Sequence, residues 1–269
     1  MVSSPGPRSQ LNPAVAARLS MRSGEYKGPT GLLARGYVQA NVVIVPKEYA
    51  GDFLRFCHLN PKPCPLLAVG APGDPTLPSL GDDIDIRSDL PAYRVLENGR
   101  EVGIVHDISD RWSDDLVTIA IGCSFSFEEA LENAGLGVRH NELGLVNPMY
   151  TTNIVAKPAG PFRGNYVVSM RPFTPANTIR AIQVTSRFPG VHGAPLHFGD
   201  PTQIGIKDLD VVEFGGNRVP IHDGEVPVFW ACGVTSQLAV EGAKLPFCIT
   251  HKPAHMLIAD VRNAEIAVL

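Results

Sequence analysis

The sequence predicts an α/β fold: a mixed sheet with helices on its faces, and a smaller, β-rich α+β subdomain inserted in the middle of the chain. Two observations lead there. Strand–turn–helix texture occurs toward both ends, in VTIAIGCSFSFEEAL (117–131) and again in VPVFWACGVTSQLAV (226–240). Between about 138 and 222 the texture changes to short apolar runs broken by Pro or Gly. The expected division is 1–137 with 223–269 as a discontinuous α/β domain around a subdomain at 138–222. Pro (24) and Gly (26) are spread through the chain, so many short elements joined by defined turns are expected, without a low-complexity linker.

Taken in order, NPAVAARLSMRSG reads as a helix with Asn12 as N-cap, Pro13 in the first turn and Gly24 at its end. ANVVIVP (40–46) is a short buried strand. KEYAGDFLRFCHLN (47–60) is an amphipathic helix, with Tyr49, Phe53, Leu54, Phe56 and Cys57 at helical spacing. DIDIRSDLPAYRVLENGREVGIVHDI reads as a meander turning at Glu-Asn-Gly. The segment TPANTIRAIQVTSRF suits a helix opened by Thr174 and Pro175, although AIQVTSRF fits a strand equally well.

Composition excludes several function classes. Net charge is −4 with Lys and Arg scattered, so no basic face for nucleic acid is expected. No apolar run approaches the roughly 20 residues of a membrane helix. The opening MVSSPGPRSQLNPAVAARLS lacks a signal peptide's apolar core. Five cysteines, none spaced C-x-x-C, argue against a disulfide framework and against structural zinc. A cytoplasmic enzyme or binding protein for a small carboxylate is the expectation, with a homo-oligomer left open.

The two Cys-bearing joints carry the chemistry. Where a strand hands over to a helix, unpaired N–H groups and the helix dipole favour negative charge. A thiol there is expected to ionise more readily. Cys123 and Cys232 occupy such joints, with Ser124 and Ser126 beside the first and Thr235 and Ser236 beside the second. The plainer alternative is that each turn simply packs well and its hydroxyl caps the helix. Arg171 and Arg187 offer planar forks for a substrate carboxylate, and His192 or His197 offers a proton shuttle near neutral pH. Asn41 is a further polar candidate for binding substrate. His192, His197 and Asp200 match no usual metal spacing, so no metal is expected. With no G-x-G-x-x-G, Walker loop or G-x-S-x-G elbow, no cofactor is expected either.

Several segments together resemble one family: GYVQANVVIVPKEYAGDFLRFCHLNPKPCPLL, DIDIRSDLPAYRV, WSDDLVTIAIGCSFSFEEAL, NPMYTTNI, VVSMRP, IQVTSRFPGVHGAPLHFGDP, GEVPVFWACGVTSQ and ITHKPAHMLIAD. They resemble the D-glutamate cyclase family of hydro-lyases, over nearly the whole chain from about residue 22 to 261. The resemblance implies an α/β fold with a smaller α+β part, and a carbon–oxygen lyase that releases water, with D-glutamate closing to 5-oxo-D-proline as its best-known reaction. It assigns no roles. From residue chemistry, Cys123 and Cys232 are candidates for acid–base or nucleophilic work, with Ser124, His192 and His197 beside them. Arg171, Arg187, Ser126, Thr235 and Asn41 are the candidate substrate contacts. Two alternatives stay open. Glutamate and aspartate racemases also present two cysteines at strand ends, although this chain lacks their opening Asp-Ser-Gly loop. A non-catalytic carboxylate-binding module is the other.

Overall fold

The computed structural model describes residues 11–268. The opening ten residues, part of the stretch read above as lacking a leader's apolar core, lie outside them. Helix α1 (Pro13–Arg22) starts as expected, Asn12 accepting from Ala14 N–H at 2.9 Å. It docks through Arg18, which is fully buried and donates to Ile258 O (2.7 Å) and Asp260 Oδ1 (2.9 Å). No helix among the described residues is long and apolar enough to cross a membrane.

Strand β1 (Tyr37–Pro46) runs straight into α2 (Lys47–Leu59), followed by β2 (Leu66–Val69). A hairpin comes next, β3 (Tyr93–Glu97) and β4 (Arg100–Val105). Its turn falls at Asn98-Gly99, both with positive φ (51° and 74°), which Asn and Gly adopt at low cost. Then come β5 (Leu116–Gly122), α3 (Phe125–Asn133), the short α4 (Arg139–Glu142), β6 (Met149–Val155) and β7 (Asn165–Phe173). The ambiguous segment is helical, α5 (Pro175–Ser186), with Thr174 capping Asn177 N–H. It leads to β8 (His197–Phe198), β9 (Val226–Ala231), α6 (Val234–Ala243), β10 (Cys248–His251) and β11 (Leu257–Arg262).

The α/β class holds, and every pairing between these strands is antiparallel. One sheet runs β2-β5-β1-β10-β3-β4, with β11 also on β1; the other runs β6-β7-β9-β8. The second sheet takes β9 from beyond residue 222, so a division there does not separate the sheets. The physical reason is pairing: β9 completes its backbone hydrogen bonds on β7, from Val168↔Ala231 to Phe173↔Val226.

The two sheets exchange helices. Helix α3 follows β5 of the first sheet, yet Phe127 and Leu131 pack on Phe173, Val228 and Trp230 of the second. Helix α6 follows β9 of the second sheet, yet Ala239 and Val240 pack with Val43, Val45 and Cys248 of the first. This exchange clamps the β5–α3 and β9–α6 joints together. Alternation along β1 completes the first sheet: Val43 and Val45 face the helices, while Val42 and Ile44 face Leu77, Ile86 and Leu90. Gly122, the last residue of β5, is required by space, because a Cβ there would stand 2.0 Å from Gly190 O.

Candidate active site

The two joints are built alike. Cys123 N–H donates to Gln39 O (3.1 Å), and Gln39 N–H donates to Ser126 Oγ (2.9 Å). Cys232 N–H donates to Val167 O (3.0 Å), and Val167 N–H donates to Thr235 Oγ1 (2.9 Å). The N–H of the first helical residue, Phe125 or Val234, lies close enough to each sulfur to favour its thiolate form. The strand rungs agree: Ala40↔Gly122 precedes one cysteine and Val168↔Ala231 the other. The chain therefore carries two copies of a strand–helix–strand–Cys–helix unit.

A single cleft lies between the two joints. Its lining comes in pairs: Cys123 with Cys232, Phe125 with Val234, Met149 with Met256, Asn147 with Ala254. Met149 lies one residue before the rung Tyr150↔Val168, and Met256 one before Leu257↔Ala40. Asn41, Ser124 and His251 complete the wall. The free space is about 20 Å³, room for one water-sized group. An amino acid enters only if lining side chains swing aside, and the two flexible methionines suit that.

Burial dominates the electrostatics. It pushes the Cys232 thiol up to about 11, against the opposing pull of Val234 N–H and Arg171. Cys123 is pushed higher still, again by burial first. The expectation of readily ionised thiols is thus corrected: with 8% and 9% exposure, the loss of solvation outweighs the helix N-terminus. Both sulfurs are protonated at neutral pH.

Behind Ser124 lies a buried ionic group. Arg171 is fully buried, stacked on Phe127 and Trp230 with centroids 5.3 and 5.4 Å away. It donates to Glu128 Oε1 (3.0 Å from Nε), Ser169 Oγ (3.1 Å) and Ser124 Oγ (3.0 Å). His140 Nε2 stands 3.0 Å from Glu128 Oε1. Because Ser124 Oγ accepts from a guanidinium, its own proton is free for another acceptor in the cleft. Ser124 makes no side-chain cap to α3.

The predicted residues therefore divide. Cys123, Ser124, Cys232 and Asn41 line the cleft. Ser126 and Thr235 lie behind it, their hydroxyls accepting strand N–H groups. Arg171 reaches Ser124 and not the cleft itself, since burial and Glu128 hold it inward. His192 is buried on the loop after α5, its Nδ1 2.9 Å from Lys62 O; burial drives its pKa down to about 4, so it is no neutral-pH shuttle. His197 lies on β8, stacked on Phe229 and bonded to Asp200 O (2.8 Å), in a separate hollow with Ile182 and Gln203. Arg187 ends α5 in solvent, donating to Val268 O (3.3 Å). His197 is drawn away because β8 is the edge strand of the second sheet, and Arg187 because it caps the exposed end of α5.

Residue-type reasoning missed His251, Asn147, Met149 and Met256. His251 had a usable signal, since it closes the apolar run CIT just as the cysteines close theirs. It is buried, receives Val42 N–H on Nδ1 (3.1 Å) and contacts Gln237 Nε2 (3.0 Å from Nε2). Burial holds its pKa down at about 3. Asn41 spans the joints: its Nδ2 donates to Gly122 O (2.9 Å), and its side chain fills the space a Cβ on Gly233 would need, 2.1 Å away. Gly233→Ala is expected to displace Asn41, costing about 1–3 kcal/mol in urea denaturation and lowering turnover roughly 10²-fold. Unchanged turnover would remove Asn41 from the site.

The D-glutamate cyclase family model matches residues 117–260, which span both joints. A protein of Bordetella petrii named "Putative hydro-lyase" is 60% identical over 97% of this chain and 98% of its own. The chain belongs to the D-glutamate cyclase family. A second relative with that name, from a Bradyrhizobium species, is 54% identical over 96% of this chain and 94% of its own. A nitrogen repressor-like protein of Methanococcus jannaschii, solved by crystallography, aligns over 95% of this chain and 97% of its own at TM-score 0.39 and 10% identity, too distant for any argument. The pairing of Cys123 with Cys232 thus falls inside the segment that defines the D-glutamate cyclase family.

Proposed function

We propose that this chain is a hydro-lyase that removes water from a small amino or carboxylic acid in the cleft between the joints, with D-glutamate to 5-oxo-D-proline as the leading candidate reaction. One observation carries the reading: the repeat is chemically broken. The first joint has Ser124, Glu128 and, on the facing strand, Arg171; at the same places the second has Gly233, Gln237 and Val43. Only one end of the cleft is equipped to stabilise developing negative charge.

In the proposed step the side-chain carboxyl lies against Ser124 Oγ, whose proton holds the oxyanion as the substrate amine attacks. A C–N bond forms and a C–O bond breaks. The Cys123 thiol gives its proton to the departing hydroxyl, releasing water. The thiolate left behind is strongly basic, because burial raises its pKa, and it takes a proton from the substrate nitrogen. Protons balance, and the enzyme is regenerated. Asn41 and His251 orient the rest of the substrate.

The shared build of the joints favours a second reading, in which both thiols work on opposite faces of an α-carbon as in racemases. Incubation with D- or L-glutamate in deuterated water separates them. Loss of one water by mass, without α-hydrogen exchange, is expected. Exchange without water loss would replace the hydro-lyase by the racemase. Binding without either reaction, unaffected by Cys123→Ser, would leave a binding module.

A further inference from the structure

Outside the cysteine cleft lies a much larger cavity, about 570 Å³, which falls in the range of small-molecule sites. The two share Ala254, and Val146 of the outer cavity adjoins Asn147 of the inner one. The outer walls carry Lys27, Arg94, Lys252 and His255 against a single carboxylate, Glu101. Arg94 is already neutralised, by Glu101 (2.6 Å) and Glu241 (2.7 Å). Lys27 and Lys252 make no ion pair with any described residue, so the cavity presents two uncompensated cations from two separate loops.

The loops that carry them are held in place. Thr30 N–H donates to Ala254 O (2.9 Å), Met256 N–H donates to Thr30 Oγ1 (3.0 Å), and Lys252 N–H donates to Ala92 O (3.0 Å). Ala254 adopts positive φ (67°), as does Phe214 (57°) in the facing wall, conformations that cost energy in non-glycine residues. A small amino acid in the inner cleft would leave this space and both charges unused.

We propose that the outer cavity binds a distal oxyanion of the substrate, between Lys27 and Lys252. The substrate is then a carboxylic acid with a tail ending in a phosphate or a second carboxylate, reacting at the cysteines while its tail lies in the outer cavity. This deepens the hydro-lyase reading, putting a longer acid in place of D-glutamate itself, and rests on it for the reacting end only; the anion site stands or falls by binding. Calorimetric titration at low salt with inorganic phosphate, and separately with succinate, tests it on three proteins: wild type, Lys27→Gln/Lys252→Gln, and Cys123→Ser. Wild type is expected to bind one probe with millimolar or tighter affinity, and the lysine variant to bind it at least about tenfold more weakly at unchanged Tm. Raising salt to about 0.5 M should weaken wild-type binding. Binding of phosphate over succinate marks a phosphorylated tail, and the reverse marks a carboxylate. Cys123→Ser should bind like wild type, so a failed dehydration assay leaves this result standing. No binding of either probe by wild type, or equal binding by the lysine variant, would overturn the proposal; should the double variant lose Tm, Lys27→Gln alone, an exposed side chain, repeats the comparison.

Discussion

Arg171→Met is expected to lower stability by about 3–5 kcal/mol, the cost of stranding a buried partner charge. Glu128, 2% exposed, would keep only His140 as an ionisable partner, 3.0 Å away. Methionine fits the slot between Phe127 and Trp230, so the loss reports the charge and not a cavity. Adding Glu128→Leu removes the stranded carboxylate and should recover most of the stability in a double-mutant cycle. Turnover should not return, because Ser124 has lost the donor that orients it. Stability regained without activity marks Arg171 as a positioning residue. A fast double variant would reduce it to a structural one.

The same group sets acid sensitivity. Burial pushes the Glu128 carboxyl up, but His140 and Arg171 together outweigh it and hold the pKa down at about 2. Its folded pKa lies below its unfolded value near 4.5, so its stabilisation of about 3 kcal/mol is present above pH 4.5 and is lost as pH falls toward 2. His192 and His251 act in the same direction from a higher start. Burial depresses them to about 4 and about 3, so their contribution is present above pH 6.5 and fades as pH falls through those values. Urea midpoints should decline from near pH 6 and steepen below pH 4.5.

The contrast between Cys123 and Arg187 explains what was legible in the sequence. Local signals were sufficient for the joints, since an apolar run ending in Gly-Cys-Ser before helix formers admits few conformations. Asn12 capping α1 and the Asn98-Gly99 hairpin are legible for the same reason. The site also needs partners brought by long-range pairing: Asn41 from β1, Met149 from β6, His251 from β10. Nothing in local periodicity says that β10 and β11 return to flank β1. Arg171 and Arg187 look equivalent as residue types, yet one lies inward on a central strand and the other ends a helix in solvent. The duplication was hidden because its two copies have diverged where chemistry differs: Ser124 against Gly233, Glu128 against Gln237, Arg171 against Val43.

That divergence gives the second large prediction. If one end of the cleft does the chemistry, the two cysteines are not interchangeable despite matching backbones. Cys123→Ser should lower kcat by about 10²–10⁴-fold, the range for losing a positioned proton donor. Cys232→Ser, which changes the end lacking hydroxyl, guanidinium and carboxylate, should stay within about tenfold of wild type, because its sulfur then only shapes the wall. A two-thiol racemase predicts equal, severe losses from both. The pH profile gives an independent reading. A protonated donor keeps the rate level through neutral pH and lets it fall only once the Cys123 thiol ionises, above the pH of about 11 at which Cys232 does. A thiolate nucleophile would instead make the rate climb over that interval, and iodoacetamide would label Cys123 readily at pH 7. A climbing profile with rapid labelling would mean that burial does not govern these sulfurs in solution, and the donor role of Cys123 would fall with it.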